Sequence, residues 1–123
     1  MSYGLRVALI DSDEMVREGR ELLLQAQPET QIVFQTGDPT AALDSICEYL
    51  LDVIVVDTRL PGWTGQKYLS ELSDRLTAAG NDARILATAT FGSDEFELTC
   101  LRSGASAVFT NEQGVNTFLR LLK

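Results

Sequence analysis

The sequence predicts a single α/β domain, residues 1–123, in which five parallel strands form a sheet covered by helices on both faces. Short apolar runs alternate with amphipathic segments of helical spacing along all 123 residues, and the pair occurs five times. Parallel strands need crossover connections, and right-handed crossovers place helices on the sheet. The length suits one domain with one substantial core.

The predicted strands are short and rich in apolar and β-branched residues. They are Leu5–Ile10, 32–34, 53–56, 84–88 and 107–109. The third run is wholly apolar, which is typical of a strand buried on both faces. It therefore predicts the centre of the sheet.

Capping residues mark the predicted helices between these strands. The helices are Glu14–Gln25, 38–50, Gly65–Ala78, 93–104 and Val115–Leu122. Asp38 is followed by proline, the arrangement of an N-cap and a first helical residue, and Ser93 precedes two acidic residues at the start of the fourth helix. These signals fix where the second and fourth helices begin.

Acidic and polar residues follow the predicted strands where ligands bind in open parallel sheets, at the carboxyl ends. They are Asp11-Ser12-Asp13-Glu14, Asp57, Thr88-Ala89-Thr90 and Thr110-Asn111. Like charges about 4 Å apart cost on the order of 4 kcal/mol at an effective dielectric near 20. Such a cluster favours a hard divalent cation such as Mg²⁺. Alternatively, Asp11 or Ser12 only caps the helix that begins at Glu14.

Charge and hydropathy exclude several classes of function. The net charge of −8 is the opposite of a nucleic-acid footprint, so we expect no direct binding of nucleic acid. No apolar run approaches the roughly 18–20 residues of a membrane span, and the charged start lacks a signal-peptide pattern. We therefore expect a cytoplasmic protein without membrane contact.

Three stretches together resemble the receiver domain of bacterial two-component response regulators, most closely those of the NarL/LuxR type. They are 6–18 (RVALIDSDEMVRE), 52–65 (DVIVVDTRLPGWTG) and 83–109 (ARILATATFGSDEFELTCLRSGASAVF). The resemblance covers essentially the whole chain. It implies a flavodoxin-like (βα)5 doubly wound sandwich, with its five-stranded parallel sheet in the order 2-1-3-4-5.

The resemblance also implies a function in phosphorelay signal transduction. Asp57 falls at the position that accepts a phosphoryl group from a histidine kinase. Related receivers commonly precede a helix-turn-helix output domain, which would lie outside this chain, and often form homodimers through their fourth and fifth helices. Other signalling proteins are alternative partners.

The family's metal site is altered in this sequence. Two acidic residues end the first strand in the family, but here Ser12 takes the place of the second, which is a metal ligand. Asp13 lies one position late, so Asp11, Asp13 and Asp57 would form a weakened Mg²⁺ site.

Three further family positions are substituted. Aligning on Phe91 puts Ala89 where the family has a hydroxyl, and Thr88 and Thr90 would point to the opposite side of a regular strand. Asn111 replaces a lysine that pairs with the phosphate, and Val108 replaces an aromatic residue that moves on activation.

These changes leave several interpretations open. The first is a degenerate receiver that signals through protein contacts, with weak or no phosphorylation at Asp57. The second is a fully functional Mg²⁺-dependent response regulator that controls a DNA-binding output domain. A distant third is a flavin or nucleotide binder, although the acidic residues after the first strand would repel phosphate. An independent enzyme is not expected, since the sequence has no histidine and no recognisable nucleophile–base pair.

Overall fold

The computed structural model describes residues 4–123, so the first three residues of the predicted domain lie outside the described part. The strands are β1 (Leu5–Ile10), β2 (Thr30–Thr36), β3 (Val53–Asp57), β4 (Arg84–Ala89) and β5 (Ala107–Thr110). The helices are α1 (Glu14–Gln25), α2 (Pro39–Ser45), α3 (Gly65–Ala78), α4 (Asp94–Arg102) and α5 (Val115–Leu122). All strand pairs are parallel, in the order β2-β1-β3-β4-β5, which confirms the predicted fold.

The largest differences from the predicted bounds are in β2 and α2, and the other elements agree with the prediction within two residues. The strand β2 extends on both sides of 32–34 because it pairs with β1 through backbone hydrogen bonds, although its outer residues are polar. The helix α2 ends at Ser45 and passes into a 3₁₀ turn, Ile46–Glu48. Arg75 of α3 donates to the carbonyl oxygen of Leu43 at 3.0 Å, which satisfies one carbonyl at this helix end.

Hydrophobic cores lie on both faces of the sheet. On one face the strands pack against α2, α3 and α4, and on the other against α1 and α5. Because side chains alternate along a strand, Val53 and Val55 belong to the α1/α5 face, whereas Ile54 and Val56 belong to the opposite one. Every residue of β3 is buried. Asp57, the last of them, therefore ends a strand that is buried along its whole length.

A buried tyrosine ties α2 to α3. Tyr68 has no solvent exposure, and its hydroxyl donates to the carbonyl oxygen of Pro39 at 2.7 Å. The Trp63 ring packs edge-on against it with centroids 5.1 Å apart. Burial raises the pKa of Tyr68, so the phenol stays a hydrogen-bond donor. Among the residues from 4 to 123, no helix is long and apolar enough to cross a membrane.

We expect Tyr68→Phe to lower the free energy of unfolding by about 1–3 kcal/mol, because the carbonyl of Pro39 loses its buried donor. Urea denaturation monitored by circular dichroism measures the difference. The matched control is Tyr49→Phe, on a half-buried ring packed 4.9 Å from Phe34, which should stay within about 0.5 kcal/mol of wild type. Equal effects of the two substitutions would contradict the prediction.

Candidate functional site

The carboxylates predicted from the sequence meet at the carboxyl edge of β1, β3 and β4. Asp11 directly follows β1, and Asp57 ends β3. Both are buried, with exposed fractions of 3% and 2%. An open pocket at this edge is lined by Asp11, Ser12, Asp13, Asp57 and Arg59. The site therefore lies where the fold class predicts ligand chemistry.

Both carboxylate oxygens of Asp57 are engaged by donors of the chain. Its Oδ1 accepts from the backbone N–H of Arg59 at 2.7 Å and lies 3.4 Å from the Nε of the same residue. Its Oδ2 accepts from the Nη2 of Arg59 at 3.5 Å and from the hydroxyl of Thr88 at 3.4 Å. The carboxylate raises the pKa of Arg59, mainly through this hydrogen bonding. Asp57 is thus held by a hydroxyl and a partly exposed cation.

Thr88 corrects one expectation from the sequence. The prediction that its side chain points away from Asp57 is wrong, because Thr88 lies opposite Asp57 in the β3–β4 register, and its hydroxyl donates to the carboxylate. Alternation along β4 puts Ala89 on the other face of the sheet. The hydroxyl beside Asp57 is therefore that of Thr88, one residue before the expected position, Ala89.

Asp11 is held by the start of α1. Its Oδ1 accepts from the backbone N–H of Asp13 at 2.9 Å, and its Oδ2 accepts from the Nη1 of Arg20 at 3.2 Å. Burial raises the pKa of Asp11, and the negative charge of Asp57 raises it further, while the Asp13 N–H and the Arg20 cation oppose the change. Arg17 donates to the backbone carbonyl oxygen of Asp11 at 2.8 Å.

Two arginines of the candidate site, Arg20 and Arg59, were not predicted from the sequence, and Arg20 is the more buried of them. Its side chain is only 12% exposed, and its Nη1 donates to the hydroxyl of Thr88 at 3.1 Å as well as to Asp11. The guanidinium lies 5.5 Å from the centre of the Phe118 ring of α5. Burial lowers its pKa. A signal was present, since Arg20 stands four residues before the buried Leu24, on the apolar face of α1.

Receiver domains generally bind Mg²⁺ for phosphorylation, but the oxygen atoms of this pocket do not fit a hard cation. Asp13 caps α1, with its Oδ1 accepting from the N–H of Val16 at 3.2 Å. Ser12 donates its hydroxyl to the backbone carbonyl oxygen of Arg59 at 3.2 Å. The residues from 4 to 123 contain no group of three acidic, histidine or cysteine side chains arranged for a metal ion. The predicted set of Asp11, Asp13 and Asp57 is therefore not assembled as metal ligands.

The last two substituted positions lie in β5, Val108, and directly after it, Asn111. Asn111 is exposed and begins a 3₁₀ turn, Asn111–Gln113, whereas Val108 is buried against the face that α4 covers. The two lysines of the sequence are far from the pocket along the chain, at the start of α3 and at the end of α5. In place of a lysine after β5, the cations beside the buried carboxylates are Arg20 of α1 and Arg59 of the loop after β3.

Comparisons with known proteins agree with this fold. The family model "Response regulator receiver domain" matches residues 7–122. The DNA-binding transcriptional activator DevR/DosR of Mycobacterium tuberculosis is 34% identical over 83% of this chain and 45% of its own length. The transcriptional regulatory protein DegU of Brevibacillus brevis is 24% identical over 97% of this chain and 49% of its own.

A solved structure of a relative has the same fold. The two-component response regulator of the LuxR family from Aurantimonas sp. SI85-9A1 has a TM-score of 0.81 at 27% identity, over 97% of this chain and 85% of that one. The chain spans about half the length of the curated relatives named above. Receiver domains are signalling modules that interact with histidine kinases or phosphotransfer proteins. The chain belongs to the receiver domains of two-component response regulators, and its relatives are regulators of the NarL/LuxR type.

Proposed function

We propose that this chain is a receiver module in which Asp57 occupies the phosphoacceptor position but signals mainly through protein contacts, with weak or no phosphorylation. The observation that carries the proposal is the engagement of both Asp57 oxygens. The backbone and side chain of Arg59 contact Oδ1, and Arg59 and Thr88 contact Oδ2. Hydrogen-bond donors lower the nucleophilicity of a carboxylate, so these contacts stabilise the resting carboxylate against attack on phosphorus.

The negative charge of the pocket also disfavours phosphorylation of Asp57. A phosphoryl group would add about −1.5 to −2 charges to a pocket that already holds Asp11, Asp13 and Asp57. Phosphoryl transfer depends on cations that neutralise the developing charge. The family's lysine is replaced by Asn111, which can donate only a neutral hydrogen bond, weaker than a charge-assisted one.

A second candidate is a fully functional aspartyl-phosphorylated regulator. Two observations favour it: the hydroxyl of Thr88 lies 3.4 Å from Asp57, and Arg20 supplies a cation 3.1 Å from that hydroxyl. Together they provide the kinds of group that a phosphoryl oxygen needs. The two candidates differ in one measurable quantity, the fraction of chain that carries a phosphoryl group at Asp57.

Incubation with acetyl phosphate and Mg²⁺, followed by intact-mass analysis, separates the candidates. We expect wild type to show little or no adduct, because Arg59 occupies the nucleophilic carboxylate. We expect Arg59→Ala, which frees Asp57, to form more adduct than wild type. The matched control is Asp57→Ala. A stable gain of about 80 Da in wild type that Asp57→Ala lacks would overturn the proposal in favour of the second candidate.

The proposed partners follow from the family. A histidine kinase or another signalling protein would contact this domain, and a DNA-binding output domain would follow it in the longer protein, as the half-length match to the curated relatives supports. A homodimer through α4 and α5 is supported by exposed apolar side chains on and beside α4. These are Phe91, Leu98 and Leu101. A cytoplasmic location and the absence of direct nucleic-acid binding stay predictions.

A further inference from the structure

We propose that Arg20 and Arg59 hold the place of a divalent cation in this pocket, and that the resting domain therefore does not bind Mg²⁺. The inference concerns the pocket of the proposed function and rests on it for its biological meaning.

Charge balance is the first argument. Three carboxylates line the pocket, those of Asp11, Asp13 and Asp57. Two of them pair with guanidinium groups. Arg20 pairs with Asp11 at 3.2 Å, and Arg59 pairs with Asp57 at 3.4 Å. The five groups together carry a charge of −1. The two arginines therefore neutralise most of the negative charge that would otherwise attract a divalent ion.

The supply of ligand atoms is the second argument. A hard cation requires six or more oxygen ligands, from carboxylates, carbonyls and water. Here both oxygens of Asp11 and both of Asp57 accept hydrogen bonds from the chain. The backbone carbonyl oxygen of Arg59, which faces the same pocket, accepts from Ser12. A metal ion that draws on these oxygens would compete with the donors of the chain, above all with the guanidinium groups of Arg20 and Arg59.

The two arginines differ in how firmly they are held. Arg20 is nearly buried, donates to two side chains and lies against Phe118, so its guanidinium is fixed by α1, β4 and α5 together. Arginine stays protonated at any physiological pH, so this charge is permanent. Arg59 is 58% exposed and its side-chain contacts are long, at 3.4 and 3.5 Å. Arg20 is thus the fixed cation, and Arg59 is the one that can swing away.

Titration with Mg²⁺ alone, followed by ¹H–¹⁵N NMR shifts and by calorimetry, tests the proposal without any phosphodonor. We expect wild type to show no saturable binding up to about 10 mM Mg²⁺. Arg59→Gln should bind Mg²⁺ weakly. The double variant Arg20→Gln/Arg59→Gln should bind Mg²⁺ at least about tenfold more tightly than the wild-type limit of about 10 mM, because three carboxylates are left with no paired cation. Arg20→Lys should stay like wild type, since it keeps a charge at this position.

Arg102→Gln is the matched control, because it removes an exposed arginine of α4 remote from the pocket and should not alter Mg²⁺ binding. Circular dichroism verifies that each variant is folded. If Arg20→Gln fails to fold, comparing the Mg²⁺ affinities of wild type and Arg59→Gln still tests the proposal. Arg59 is 58% exposed, so we expect its substitution to leave the domain folded. Saturable Mg²⁺ binding by wild type at about 10 mM or below, or folded arginine variants that bind no better than wild type, would overturn the proposal.

Failure of this inference and failure of the proposed function give different results. Mg²⁺ binding by wild type without a phosphoryl adduct would contradict only the inference. An adduct on Asp57 that also forms when EDTA replaces Mg²⁺ would contradict only the proposed function.

Discussion

Arg20→Ala should lower the free energy of unfolding by about 3–5 kcal/mol, the range found when one partner of a buried ion pair is removed. The substitution leaves the carboxylate of Asp11, which is only 3% exposed, without its cation. It also removes a donor to the hydroxyl of Thr88 and the group that packs over Phe118. The loss comes mainly from an unpaired buried charge rather than from lost contact area.

Urea denaturation of wild type and variants measures this loss. Arg102→Ala, an exposed arginine in the last turn of α4, is the control and should stay within about 0.5 kcal/mol of wild type. Asp11→Asn in the Arg20→Ala background should recover part of the stability, because it neutralises the charge left unpaired. A loss below about 1 kcal/mol in Arg20→Ala, or no recovery in the double variant, would show that Arg20 is not the counterion of Asp11.

Phe118→Ala should cost about 3–5 kcal/mol as well, but for a different reason. The ring is 2% exposed, packs edge-on against Phe109 with centroids 5.2 Å apart, and forms the surface on which Arg20 lies. Truncation leaves a cavity between α5 and the sheet and deprives the guanidinium of its aromatic neighbour. Core packing and the electrostatics of the pocket therefore depend on the same side chain.

The effect of Phe118→Ala is measured by the same urea titration. Phe91→Ala is a suitable control, because Phe91 is 76% exposed and should change stability by less than about 0.5 kcal/mol. The double variant Phe118→Ala/Arg20→Ala completes a cycle, and we expect a coupling of about 0.5–2 kcal/mol between the two sites. Strictly additive losses would mean that the contact between ring and guanidinium contributes nothing.

Most of the fold could be predicted from periodicity and capping signals. The apolar run that ends at Asp57 became β3, and Pro39 became the first residue of α2, as predicted. The extent of β2 could not be predicted, because its polar outer residues carry no apolar pattern and enter the sheet only through backbone pairing with β1. The early end of α2 depends likewise on a donor from a distant helix, Arg75.

The candidate site was predictable in its position but not in its chemistry. Asp11 and Asp57 could be placed at one sheet edge because the carboxyl ends of parallel strands meet there. The role of Thr88 depended on which face of β4 its side chain occupies, and an error of one residue reverses that face. Asp13, predicted as a metal ligand, caps α1 instead. Local sequence carries no information on which of these competing uses a carboxylate takes.

The sequence by itself determined the βα alternation, the parallel sheet and the aspartate at the end of its central strand, because hydrophobic periodicity and strand-end chemistry are local properties. Only the tertiary structure decided what surrounds that aspartate. Arg20 comes from α1, Thr88 from β4 and Phe118 from α5, and packing α1 and α5 on one face of the sheet brings them together. A pairing between residues 68 positions apart is a property of that packing. For this reason the missing lysine after β5 was visible in the sequence, whereas the pairing of Arg20 with Asp11 and Thr88 was not.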